Sequence, residues 1–199
     1  MLLTEGPQGE AVLLEQVYEG APTIQSGRHR TTVNEFTDQS PALRPTVLQE
    51  AAERLVALGT FDSDKILVEE DKGAILGGVV ALAVKLPLAV ARWYTYDLGG
   101  QSIAVPIDSE YFAGNLYVNG IEPGDRVTIV DDTISTGGTL IALIEAVQAA
   151  GATVSEVLVA VEKPENGGRE KVAERFGIEV RTLIRIAVDG ETQKARVMS

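Results

Sequence analysis

Hydrophobic and polar positions along the chain switch repeatedly between a helical period and short apolar runs. Pro45 to Leu58 (PTVLQEAAERLVAL) repeats its apolar residues at helical spacing behind a proline suited to a first turn, which predicts an amphipathic helix. Lys65 to Glu69 (KILVE) has the length of a strand, and the small-residue stretch Gly73 to Val84 after it predicts a helix. Leu88 to Arg92 predicts a second strand. Arg126 to Val130 predicts a third, followed by a helix over Thr139 to Ala150. Val154 to Val161 predicts a fourth, with a helix over Arg169 to Phe176, and Val180 to Ile186 predicts the last strand before a short polar tail. Strands alternating with helices predict an α/β fold around a parallel, Rossmann-like sheet.

Two segments break this rhythm. Tyr94 to Gly114 contains Gly99, Gly100 and Gly114 and reads as a long irregular loop, with alternation only over Ser102 to Ile107. A loop of that length is either a functional lid or disordered. Residues 1–44 do not continue the alternation. They predict a small hood over the ligand-binding edge of the sheet or an arm packed in a dimer, so the chain reads as one domain with a core over 45–199.

The chemistry concentrates where the third strand meets its helix. Val127 to Val130 runs into Asp131 and Asp132, then into Thr133, Ile134, Ser135, Thr136, Gly137, Gly138 and Thr139, and then into the helix. Loop amides and the positive end of a helix dipole suit a phosphate, and glycines let the backbone approach it. The two carboxylates can accept from vicinal hydroxyls or hold Mg²⁺ through oxygen. A ligand with a phosphate at one end and a ribose diol at the other fits. No G-x-x-x-x-G-K-[S/T] occurs, and no G-x-G-x-x-G follows a strand, which excludes the commonest nucleotide loops.

This stretch resembles the phosphoribosyl-pyrophosphate (PRPP) motif of the type I phosphoribosyltransferases: a hydrophobic strand, two acidic residues, two variable residues and a Thr-Gly-x-Thr/Ser loop. The resemblance implies that family's parallel-sheet core, with an N-terminal hood and a flexible catalytic loop. It implies transfer of 5-phosphoribose from PRPP to a purine base, with Mg²⁺ carried largely by PRPP and a homodimeric assembly. Asp131 and Asp132 would then hold the ribose hydroxyls and share the metal. Thr133 and Ser135 to Thr139 would take the 5′-phosphate. Asp71, Lys72 and Gly73, at a strand end before a helix, would take pyrophosphate together with Arg92. In adenine-type members a lysine follows that arginine, and Trp93 stands in its place here. Glu110-Tyr111 resembles the Glu-Tyr-Gly segment of adenine enzymes, which makes Glu110 a proton acceptor near the base or else a solvated loop carboxylate.

Base choice draws on several subfamilies. Asn115 to Asp125 and Leu140 to Ile144 resemble archaeal hypoxanthine phosphoribosyltransferase-like proteins, whereas Val161 to Pro164 and Gly168 to Glu170 resemble xanthine enzymes. Phe36 to Pro41 resembles the Phe-Arg-Asp-x-x-Pro segment of adenine enzymes, but Thr37 replaces the base-contacting arginine. Lys163 sits where 6-oxopurine enzymes place a lysine. An ammonium has only donors, so it suits a carbonyl and opposes an amino group. It either reads the base or caps its strand, and Ile134 either stacks on the base or fills the core. The expectation is therefore hypoxanthine, guanine or xanthine, with adenine as the alternative and a non-catalytic PRPP sensor as the reading from another class.

Composition narrows the rest. A net charge of −12 opposes binding to nucleic acid or an anionic membrane. It also means that positive charge for a phosphorylated substrate must be supplied locally. With no cysteine and the single histidine His29, thiol chemistry and multi-histidine metal sites are excluded. The most apolar stretch, Ala74 to Ala91, is broken by Lys85 and Pro87, and no leader pattern opens the chain, so a cytoplasmic protein is expected.

Overall fold

In the computed structural model the described residues are 12–27, 29–95, 102–108 and 113–198. The predicted couplets take their places. The first is α3 (Pro45–Leu58), preceded by the short helices α1 (Leu13–Tyr18) and α2 (Glu35–Asp38). Then follow β3 (Lys65–Glu69), α4 (Lys72–Val84), β4 (Leu88–Ala91), β7 (Arg126–Ile134), α5 (Gly138–Ala149), β8 (Thr153–Glu162), α6 (Gly168–Phe176) and β9 (Val180–Asp189). Strands β1 (Thr23–Ser26) and β2 (His29–Thr32) pair as a small hairpin ahead of α2.

The main sheet has six strands in the order β10-β9-β8-β7-β3-β4, where β10 is Lys194–Met198. Five are parallel. The sixth corrects the expectation of a polar tail, because β10 runs antiparallel along β9 with Ala195 opposite Val188. Its lone buried side chain, Ala195, is too short a signal to mark a strand in sequence. The strands that read as continuous apolar runs are those covered on both faces. Ile66, Val68 and Val130 pack with α3 and α4 on one side, while Leu67 and Ile129 pack with α5 on the other.

A second correction concerns the long loop. Residues 103–108 (β5, Ile103–Asp108) and 113–118 (β6, Ala113–Val118) form an antiparallel ribbon. Val105, Ile107, Leu116 and Val118 are buried in the same core as α5. The alternation over Ser102 to Ile107 was therefore a strand signal, not a feature of a loop. No helix among the described residues is long and apolar enough to cross a membrane.

The sheet order fixes where a ligand can bind. From β3 the chain moves outward to β4, and from β7 it moves the other way to β8 and β9. The crevice past the carboxyl ends of β3 and β7 is thus the switch point of the sheet. Residues 69–73 and 131–139 are the two segments that leave it.

Candidate active site

A cavity of about 340 Å³ opens at this switch point, a size suited to a small ligand. One wall is the end of β7. The strand does not stop at the acidic pair, as the sequence pattern predicts, but continues through Ile134, paired with β8 up to Ile134–Glu162. Asp131 and Asp132 are consequently built into a rigid strand, 3% and 6% exposed, and both line the cavity. The Asp132 N–H donates to Asp131 Oδ1 at 3.0 Å. Burial, then the charges of Asp132 and Glu69, push the Asp131 carboxyl well above the usual carboxylate range. Burial also raises Asp132, against the pull of Thr133 and Lys72. Glu69, at the end of β3 and in the same wall, is pushed up to about 7, mainly by burial. Three carboxyl groups that water would ionise are thus held in surroundings that oppose their charge.

Past Ile134 the loop Ser135 to Gly137 turns into α5. Gly137 has φ 83°, a left-handed conformation that favours glycine, and no side chain caps the helix. Residues 135–140 line the cavity, so the uncapped first turn lies at its wall. The loop is braced from behind by residues the motif does not include. Asn166 Nδ2 donates to Ser135 Oγ at 2.9 Å, and Lys171 Nζ donates to the Thr136 carbonyl at 3.3 Å. Gly168 lies so close that a Cβ there would be 2.3 Å from the Ser135 carbonyl oxygen. The glycine pair opening α6 was the only sequence signal of this contact. Thr133 differs from its loop neighbours. It belongs to β7, and its hydroxyl is enclosed beside Asp132, whose charged form it favours.

The opposite wall is the turn from β3 into α4. Asp71 caps the helix by position only, and its N–H donates to Glu69 Oε1 at 3.0 Å. Lys72 reaches Asp38 of α2, with Nζ 3.0 Å from Oδ1. Burial works against its charge, but Asp38, Asp132 and Asp71 together raise its pKa. Gly73 lets α4 close on the acidic pair, since a Cβ would sit 2.6 Å from Asp131 Oδ1.

Arg92 is not brought into the cavity wall. Its backbone pairs with Tyr117 of β6, at 2.9 and 2.8 Å, and its side chain approaches Glu70 at 4.0 Å and the Val90 carbonyl at 3.3 Å. Alternation along the extended chain leaves Trp93 in the wall instead. Ile134, 2% exposed, serves both as core and as cavity wall. Lys163 follows β8 with its side chain buried and lines the cavity, as do Thr31, Thr32 and Thr37. Glu110 lies outside the described residues. Among the described residues no group of three or more metal-ligating side chains converges, and the Asp131–Asp132 pair is what the described cavity wall could offer a metal.

A parallel sheet that presents an uncapped glycine turn and a carboxylate pair at its switch point defines an α/β protein built to hold a sugar phosphate. The chain belongs to the phosphoribosyl transferase domain family, whose profile matches residues 50–192. It is 37% identical over 185 residues to a hypoxanthine/guanine phosphoribosyltransferase of Methanocaldococcus sp. (strain FS406-22), covering 92% of this chain and 93% of that one. A protein of the same name from Methanocaldococcus infernus is 39% identical over 180 residues, covering 89% and 97%. Among solved structures, the adenine phosphoribosyltransferase of Rhodothermus marinus superposes with a TM-score of 0.71 at 28% identity, over 88% of this chain and 99% of that one.

Proposed function

We propose that this chain transfers 5-phosphoribose from PRPP to a 6-oxopurine, hypoxanthine or guanine first, and releases pyrophosphate. The observation that carries the reading is one cavity lined by the Asp131–Asp132 pair, the 135–139 loop and the buried Lys163. Relatives named hypoxanthine/guanine phosphoribosyltransferase, matched over most of their length, support the choice of base.

In this reading residues 135–139 take the 5′-phosphate and Asp131 with Asp132 accept from the ribose hydroxyls. Both carboxyls are held above their ordinary pKa, so a positive charge developing at C1′ relieves what burial imposes. The pair then favours the transition state over the ground state. Lys72 and the amides of the 71–73 turn face the departing diphosphate. A Mg²⁺ carried by PRPP would be shared by Asp131 and Asp132 and would neutralise phosphate charge. The hood residues Thr31, Thr32 and Thr37 would close over the base. A homodimer is supported by α4, which leaves Ile75 and Leu82 exposed along one apolar stripe, Leu82 by 62%.

The test is pyrophosphate release with PRPP, Mg²⁺ and a panel of hypoxanthine, guanine, xanthine, adenine, uracil and orotate. Turnover on hypoxanthine or guanine, stopped by a chelator, is the expected result. Preference for adenine would overturn the base assignment. Silence with every base would point to a PRPP sensor instead.

A further inference from the structure

We propose that Thr31 is a positioning residue that determines specificity, its hydroxyl fixing the Lys163 ammonium at the base end of the cavity. The inference rests on the reading that Lys163 meets the carbonyl of a 6-oxopurine.

Lys163 carries four rotatable bonds, so a donor at its tip selects a carbonyl only if something holds the tip in place. Its backbone is fixed, because its N–H donates to the Ile134 carbonyl at 2.9 Å. Its side chain is 2% exposed, and Nζ donates to Thr31 Oγ1 at 3.4 Å. That contact joins residues 132 positions apart and is a polar link between β2 of the hood and the end of β8. Thr31 is suited to the task. It is buried, sits in the middle of the β1–β2 hairpin opposite Ile24, and is β-branched, so its hydroxyl has few orientations. The hairpin end is held in turn by Asn34, whose Nδ2 donates to Thr32 Oγ1 at 3.1 Å.

The choice of a hydroxyl also matters. A carboxylate in the same place would compete with the base as a charged acceptor, whereas a hydroxyl orients the ammonium without adding a negative charge. The 3.4 Å separation is long for a hydrogen bond, so the ammonium can still advance onto a carbonyl while Thr31 limits its sideways travel.

The experiment compares Thr31→Val, Thr31→Ala and Thr31→Ser with the wild type. Readouts are kcat and KM for hypoxanthine, guanine and adenine, KM for PRPP, and the melting temperature. Loss of one hydrogen bond to a charged group should lower kcat/KM for hypoxanthine and guanine roughly tenfold in the Val and Ala variants. The loss should appear in the KM for the base. Adenine use should fall less than the use of hypoxanthine and guanine, the KM for PRPP should move less than that for the base, and Thr31→Ser should restore the wild-type values. Equal losses on all bases, or a Ser variant as impaired as Val, would reduce Thr31 to a packing residue. A wild type that uses 6-oxopurines and tolerates Val and Ala without loss would overturn this inference alone. A wild type that prefers adenine would overturn the reading beneath it as well.

Discussion

Replacing Glu69 by glutamine should stabilise the protein, and only above mildly acidic pH. Glu69 is buried at the end of β3, and its carboxyl is pushed from 4.5 up to about 7, chiefly by burial and then by the charges of Asp71 and Asp132. Below pH 4.5 folded and unfolded chains both hold this proton, and the group costs nothing. Between 4.5 and about 7 the unfolded chain gives up the proton while the folded chain keeps it, so stability falls by about 1.4 kcal/mol for each pH unit. Above about 7 the loss is complete at roughly 3 kcal/mol. Glutamine has no proton to lose, and its side-chain oxygen can still accept the Asp71 N–H. Glu69→Gln should therefore match the wild type near pH 4.5 and exceed it by up to about 3 kcal/mol at pH 8. Asp131, whose carboxyl feels the Glu69 charge, adds in the same direction. Urea unfolding at intervals from pH 4.5 to 8 reads the difference from the midpoints, provided the slopes are equal. A difference that does not change with pH, or a variant less stable at pH 8, would refute the reasoning.

Three further outcomes follow from the same geometry. Gly73→Ala should keep or slightly raise stability, since alanine favours a helix by up to about 1 kcal/mol. Its Cβ would turn the Asp131 carboxylate aside, so pyrophosphate release should fall at least roughly tenfold, and normal turnover would contradict this. The double variant Asp131→Asn with Asp132→Asn should lose transfer while unfolding at higher urea than the wild type at pH 8. Near-normal turnover would remove both residues from the chemistry. Gly168→Ala meets the Ser135 carbonyl, which cannot swing away as a side chain can. It should cost about 1–3 kcal/mol of stability and raise the KM for PRPP more than that for the base, and equal KM changes would refute the bracing role.

The core of the fold was legible because its signals are local. Each parallel strand is a short apolar run and α3 begins at a proline, so the boundaries of β3 and α3 agree with their sequence patterns. The turn from β7 into α5 was legible for the same reason. What escaped depends on distant partners. Ala195 becomes part of a strand only because β9 lies beside it, and the 103–118 ribbon becomes core only because α5 covers it. Resemblance to adenine-type enzymes suggested Arg92 as a diphosphate ligand; its side chain turns to Glu70 and the Val90 carbonyl, contacts with no local sequence signal. Lys72 was found, but its partner Asp38 was not, because the two are 34 positions apart. Glu69 read as an ordinary strand residue, and only the fold's burial of it, with the charges of Asp71 and Asp132 beside it, raises its carboxyl.

The antiparallel edge strand has one more consequence, in time rather than in space. The Gly20 N–H donates to the Ala195 carbonyl, the Ala195 N–H to the Ala21 carbonyl, and the Val197 N–H to Glu19, a contact spanning 178 positions. The hood is therefore stitched to the body by β10. During synthesis α1 and α2 can already dock through the Leu13 and Leu14 N–H groups on Glu50 and through Asp38 on Lys72, so Lys194–Met198 supplies the last of these ties to emerge. A nascent chain stalled before Lys194 would carry every residue of the cavity lining and lack the edge strand that ties down Glu19 to Ala21.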